Sequence, residues 1–269
     1  MTRSLIADGT ILLDLADNGV AHLTLNRPEA SNGMDVPFLQ SLYTALMAAH
    51  GEPSLRVLII TGAGPNFCAG GDIKTFASKG EALPDYLRQA TSWLQICTGA
   101  LLGLQAPVIA AVHGFAAGGG GFGLVCSADI VVAAQSAKFL AGATRVGMAP
   151  DAGVSVSLPQ LVGARKALEI VLTNPMLSAA EALEIGLITK VVPDDALLDE
   201  TFALADTLAA GAPKALAAAK RLVWSGLGSR VEAQLAEEAR TVAELSGTAD
   251  AREGLAAVIE HRGPVFTGD

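Results

Sequence analysis

The sequence predicts an α/β protein with a helical C-terminal part, on three observations. Continuous apolar runs, "RVLIITG" (Arg56–Gly62), "PVIAAVHG" (Pro107–Gly114) and "DIVVAA" (Asp129–Ala134), read as strands buried on both faces. Segments with apolar residues at helical spacing separate them, which implies parallel pairing through helical crossovers. From Leu197 to Glu260 the chain is rich in Ala, Leu, Glu and Arg at helical spacing.

Taken in order, "TILLDLADNGVAHLTLNRP" predicts two short strands around a turn at Asp17-Asn18-Gly19. Val36 to His50 predicts a helix through Phe38, Leu39, Leu42 and Leu46. A helix is predicted next over much of Leu83 to Leu104, and another leads from a glycine-rich turn to Cys126. "AKFLA" is a further short strand. Ser178 opens a capping box with Glu181, and Gly186 reads as the stop of that helix. Pro213 and the Gly226 and Gly228 pair divide the C-terminal part into three or four helices. The expected division is an α/β core over residues 1–195 and a helical region over 196–269.

Composition narrows the function. The 269 residues are 51% hydrophobic, which opposes disorder and allows a large core. A net charge of −9 repels phosphate backbones, so nucleic acid is a poor partner. Three separated cysteines argue against a disulfide framework, and no C-x-x-C or H-x-x-H pair suggests a metal. Gln89 to Ala128 lacks any charged side chain, yet Gln95, Gln105, Pro107, His113 and a run of four consecutive glycines interrupt it, so a buried core is expected rather than a membrane span. The N-terminus lacks a signal-peptide pattern, and a cytoplasmic location is the expectation.

Two glycine clusters could carry chemistry: "CAGGDI" (Cys68–Ile73) and "HGFAAGGGGFG" (His113–Gly123). Each comes after the C-terminal end of a predicted strand and opens a predicted helix. Ligands of open α/β folds sit there, and N–H groups from two such loops could form an oxyanion hole. Tight strand-to-helix turns alone would also account for the glycines. The spacing fits neither a dinucleotide fingerprint nor a P-loop.

These motifs, with "LTLNRPEASNGMD", "RVGMAPDAG", "LVGARKALEI" and "LSAAEALEIGLITKVVP", occur in an order and spacing that resembles the crotonase superfamily of enoyl-CoA hydratases and isomerases. The resemblance covers nearly the whole chain. It implies a crotonase-like spiral of ββα units with a C-terminal helical trimerisation region. The expected substrate is an acyl-CoA thioester, with no cofactor beyond coenzyme A as part of it, and the expected assembly a homotrimer or hexamer. It implies oxyanion donors at Gly71 and at Gly120, or Gly119 if the four glycines are counted from His113-Gly114. Arg27, Ala69, Asp72, Ile73, Lys74 and Arg262 are candidates for binding coenzyme A. Phe76, Trp93, Phe122, Ala143 and Met148 are candidates for the acyl pocket.

Hydratases of the superfamily use two glutamates. The corresponding positions here are Phe122 or Gly123, and Ala143, none of which has a carboxylate. Asp151, in "RVGMAPDAG", stands where several double-bond isomerases of the superfamily carry an acid. One carboxylate can take a proton from one carbon and return it to another, so isomerisation is the leading expectation. Hydration of enoyl-CoA is the alternative, and acyl-CoA binding without efficient catalysis is a third. Asp151 could instead cap the helix predicted in "PDAGVSVSLPQL". Glu81 and Asp85 read as solvated acids, and His113 as a structural hydrogen-bonding group.

Overall fold

The computed structural model describes residues 2–269. An antiparallel meander opens the chain: β1 (Thr2–Ile6), β2 (Ile11–Ala16) and β3 (Val20–Leu25). The β2–β3 turn forms at the expected residues. Gly19 adopts φ 82° and its N–H bonds the Ala16 carbonyl at 2.9 Å. The sequence reading missed β1, because its first residues, Thr2, Arg3 and Ser4, are polar and exposed.

α1 (Val36–His50) leads to β4 (Val57–Gly62); α2 (Ile73–Ala77) and α3 (Leu83–Gly103) lead to β5 (Val108–Val112). β6 (Phe115–Ala117) runs directly into α4 (Gly118–Ser127). β7 (Ile130–Ala134), β8 (Lys138–Leu140), α5 (Val154–Val162), α6 (Ala164–Thr173), β9 (Leu177–Ser178), α7 (Ala179–Glu184) and β10 (Lys190–Val192) come next. The Ser178–Glu181 capping box forms, and Gly186 takes φ 78° just past α7. The uncharged stretch Gln89–Ala128 divides between α3, β5, β6 and α4, and no helix among the described residues is long and apolar enough to cross a membrane.

The main sheet has the order β1-β2-β3-β4-β5-β7-β10. It is parallel from β3 onward, with Leu23 opposite Ile60, Ile59 opposite Ile109 and Ala110 opposite Val131. Every residue of β5 is buried, as the continuous apolar run requires. A second, three-stranded sheet, β6-β8-β9, carries the chain away from the first at the point where α4 begins.

The C-terminal part holds four helices: α8 (Leu197–Ala209), α9 (Pro213–Gly226), α10 (Val231–Ser246) and α11 (Ala249–Glu260). α8 lies across β4, β5 and β7, so it packs with the sheet although it comes after residue 195. The later helices expose many apolar side chains, including Val231, Leu235, Val242, Leu255, Val258 and Ile259.

Candidate active site

The C-terminal ends of β4 and β5 deliver the two glycine loops to one place, where they meet backbone to backbone. The short bridge Cys68–Ala116 joins them, and Ala117 N–H bonds the Cys68 carbonyl at 2.9 Å. A Cβ on Gly70 would lie 2.8 Å from the Ala117 carbonyl oxygen, and one on Gly120 would lie 3.1 Å from the Gly70 Cα. Glycine is required here by this close approach. His113 bonds the Gly64 carbonyl through Nε2 at 2.9 Å, which fits the structural role expected of it.

Beside this junction lies a cavity of about 430 Å³. Ala69, Gly71, Ile73, Phe76, Gly118, Gly119, Gly120, Ala143, Met148 and Asp151 line it, so most of the residues singled out in the sequence meet there. Met34, Leu39, Leu87, Ala90, Thr91, Leu94, Leu140, Arg145 and Val146 line it too, and sequence reading did not single them out. The four from α3 stand at helical spacing, 87, 90, 91 and 94, which is one face of that helix.

Asp151 does not cap a helix. α5 starts at Val154 with Gly153 as its N-cap, and no side chain caps it. Ala152 and Gly153 both take left-handed conformations, φ 49° and 75°, which separate the Asp151 side chain from the helix and leave it in the cavity wall. The carboxylate rests on the Gly119 Cα: a Cβ there would collide with Oδ1 and come to 2.5 Å from Cγ. Among the described residues no cation pairs with it and no other residue donates a hydrogen bond to it. Burial pushes its pKa up from the usual carboxylate value, and its own backbone N–H only partly offsets this.

The same face of α4 carries Gly123, one turn beyond Gly119. A Cβ on Gly123 would lie 2.6 Å from Ala152 Cβ. Phe122 points the other way and is fully buried in the core. Its place in the acyl pocket is therefore corrected: the 100° step of the helix sends it from the cavity. Trp93 is corrected likewise. It stands off the cavity face of α3 and packs against Tyr43, ring centroids 5.6 Å apart.

The first-loop residues divide. Gly71 faces the cavity under the Phe76 ring, and among the described residues its N–H has no acceptor. Ile73 lines the cavity while Lys74 beside it is exposed. Asp72 caps α2, accepting from Thr75 N–H at 3.0 Å and from Arg27 at 2.8 Å. Burial opposes its ionisation, but the bonds from Thr75 and Arg27 together hold its pKa below the usual value. Arg27 is committed to this scaffold: it also bonds the Gly33 carbonyl and pairs with Asp35 at 3.2 Å. It lies outside the cavity wall and is not free to meet a phosphate. Arg262 is held by Glu253 and Glu260 at the end of α11, also outside the cavity wall. Among the described residues no cluster of three His, Cys, Asp or Glu could hold a metal.

The family profile described as enoyl-CoA hydratase/isomerase matches residues 16–269. The chain belongs to the enoyl-CoA hydratase/isomerase family. Its crotonase-type fold is shared with the enoyl-CoA hydratase of Bacillus anthracis, which superposes with a TM-score of 0.91 at 33% identity over 97% of this chain and 100% of that one. A "Probable enoyl-CoA hydratase" of Rhodobacter capsulatus is 40% identical over 259 residues, 96% of this chain and 98% of that protein. The 1,2-epoxyphenylacetyl-CoA isomerase of Escherichia coli is 36% identical over 260 residues, again 96% and 98%. As a member of the enoyl-CoA hydratase/isomerase family, this chain is an acyl-CoA enzyme.

Proposed function

We propose that this member of the family is a double-bond isomerase of acyl-CoA thioesters in which Asp151 moves the proton. The observation that carries the reading is the state of Asp151. Among the described residues it is the one carboxylate in the cavity wall, it is unpaired, and burial raises its pKa from the usual carboxylate value, the direction a proton-shuttling acid needs. The family resemblance puts the two hydratase glutamates at Phe122 or Gly123 and at Ala143; Phe122 is buried in the core, a Cβ on Gly123 would lie 2.6 Å from Ala152 Cβ, and Ala143 carries no carboxylate.

In the proposed reaction the thioester oxygen sits between the N–H of Gly71 and an N–H from the first turn of α4. First-turn N–H groups have no acceptor within their helix. Gly120 is preferred over Gly119, because Gly120 abuts the first loop at Gly70 while Gly119 lies under Asp151. Asp151 removes a proton from carbon, the two donors stabilise the enolate, and Asp151 returns the proton two carbons away. One such donor contributes about 3 to 4 kcal/mol to the barrier reduction. Of Arg27, Lys74 and Arg262, Lys74 is best disposed to meet the coenzyme A moiety, because it is exposed beside the cavity-lining Ile73.

The test is conversion of 3-enoyl-CoA to 2-enoyl-CoA with a deuterium label on the carbon that loses the proton. Turnover that carries label to the new position and is lost in Asp151→Asn supports the reading. An Asp151→Asn protein with wild-type rate overturns it. The hydratase reading is favoured by the names of most of the relatives. Loss of enoyl absorbance on adding crotonyl-CoA, at a rate exceeding isomerisation, would decide for it.

A further inference from the structure

The loop that presents Gly71 is not held by its own contacts. It is stitched to the segment Ser31–Met34, and one side chain supplies the centre of the stitching. Asn32 is fully buried. Its Nδ2 lies 2.9 Å from the Ala63 carbonyl, 2.8 Å from that of Asn66 and 3.0 Å from that of Phe67. Its Oδ1 accepts the Arg27 N–H at 2.8 Å. The two N–H bonds of the carboxamide are thus shared among three carbonyls of one loop. Ser31 and Asn32 both take left-handed conformations, φ 52° and 54°, a state that asparagine tolerates better than most residues.

The residues after Phe67 are held one by one. Cys68 Sγ donates to the Asn32 carbonyl at 3.1 Å, and Ala69 N–H to the Ser31 carbonyl at 3.0 Å. Met34 N–H then bonds the Gly70 carbonyl at 2.8 Å, and Asp72 N–H bonds the Met34 carbonyl at 3.0 Å. Gly71 lies between these last two bonds, in a parallel bridge with Met34. Backbone groups in extended chain alternate sides, so the Gly71 N–H is turned away from Met34. A shift of this loop by one residue, or by a fraction of an ångström, would move that N–H relative to the cavity.

We propose that Asn32 is a positioning residue for the Gly71 N–H, fixing the loop Ala63–Phe67 and with it the register of Cys68–Asp72 on Met34. The proposal rests on the reading of Gly71 as an oxyanion donor. It assigns Asn32 no contact with substrate. Its effect is therefore on the stabilisation of developing charge, not on ground-state binding.

The test uses Asn32→Ser, which keeps a short hydroxyl donor, and Asn32→Gly, which keeps the left-handed backbone but removes every side-chain bond. The readouts are isomerase kinetics and the absorption of bound cinnamoyl-CoA, whose band moves to the red when its carbonyl is polarised by two donors. The expected result is a red shift in the wild type that shrinks in Asn32→Ser and is lost in Asn32→Gly. kcat is expected to fall about 100-fold in Asn32→Gly, with KM within about threefold of wild type. A folded Asn32→Gly or Asn32→Ser protein that keeps the full red shift overturns the proposal, even if its melting temperature falls, because the role is then structural only. If Asn32→Gly does not fold, Asn32→Ser decides by the same spectrum. A wild type without any red shift refutes the oxyanion reading itself, and the positioning role falls with it.

Discussion

Asp151 lies directly on Gly119, with its carboxylate where the first side-chain atom of any other residue would have to be. The glycine run of α4 therefore does two jobs. Gly120 and its neighbours let the two loops meet, and Gly119 makes room for the acid. Gly119→Ala is expected to push the carboxylate out of place and to lower kcat about 100-fold, the cost of a displacement near 1 Å. The backbone of Gly119 is not left-handed, so alanine adds little backbone strain. A Gly119→Ala protein that melts near the wild-type temperature and turns over at the wild-type rate would show that the contact is not used.

The raised pKa of Asp151 gives two pH dependences of known sign. As a base, Asp151 must be ionised in the free enzyme. kcat/KM for isomerisation is expected to rise with pH along an acid limb displaced above the ordinary carboxyl value of about 3.9. For stability, an acid whose folded pKa is raised binds its proton more tightly when folded. Its ionisation thus destabilises the fold as pH rises from the unfolded value through the raised folded one. Asp151→Asn removes that penalty. Denaturant midpoints should show the variant gaining on wild type between acid and neutral pH, and at least equal to it at pH 7. A constant offset across that range would contradict the assignment.

Much of this was legible in the sequence because it rests on backbone chemistry. Gly19, Gly186 and the Ser178–Glu181 box mark turns and helix ends by mechanisms that act locally. The apolar runs of β4, β5 and β7 mark strands covered on both faces. That Asp151, Gly71 and Ala143 come to one cavity wall was legible through motif order. The errors came where direction around a helix matters. Phe122 and Trp93 are large and close in sequence to the cavity, but each lies off the face that meets it, while Gly119 and the 87, 90, 91, 94 stripe lie on it. Arg27 reads by its charge as a phosphate ligand. Its true partners, Asp35 and Asp72, reach it only through tertiary folding, and Asp72 is 45 residues away.

The empty acid positions can be refilled one at a time. Ala143→Glu would bring a second carboxylate to the same cavity wall as Asp151. Like charges disfavour double ionisation, so the acid limb of kcat/KM should move to higher pH and isomerisation at pH 7 should fall. Hydration of crotonyl-CoA is not expected to appear, since a single added acid does not complete the pair. Gly123→Glu is expected to fail differently. Its Cβ would lie 2.6 Å from Ala152 Cβ, so the loop carrying Asp151 must shift, and the measured consequence is a lower melting temperature together with lost isomerisation. Hydration by Ala143→Glu alone at a rate near isomerisation would speak for a hydratase site held back by one residue.

The C-terminal helices are tied to the core by a buried ion pair far from the cavity. Lys220 on α9 meets Asp129 at 2.8 Å, with side chains 6% and 15% exposed. Lys220 also bonds the Leu101 and Ala106 carbonyls, and Trp224 Nε1 donates to Asp129 Oδ1 at 2.7 Å. Asp129 Oδ2 accepts the Val108 N–H at 2.7 Å, at the start of β5. Burial lowers the Lys220 pKa, and Asp129 offsets part of that. Removing one partner strands the other charge out of water, so Asp129→Asn is expected to cost about 3 to 5 kcal/mol. Lys220→Met should cost less when combined with Asp129→Asn than the sum of the two single changes, because the pair is then removed as a unit. Trp224 is the reporter: its fluorescence should change in Asp129→Asn before global unfolding. Additive losses in the double variant would mean that Lys220 and Asp129 act independently, each through its bonds to backbone and indole.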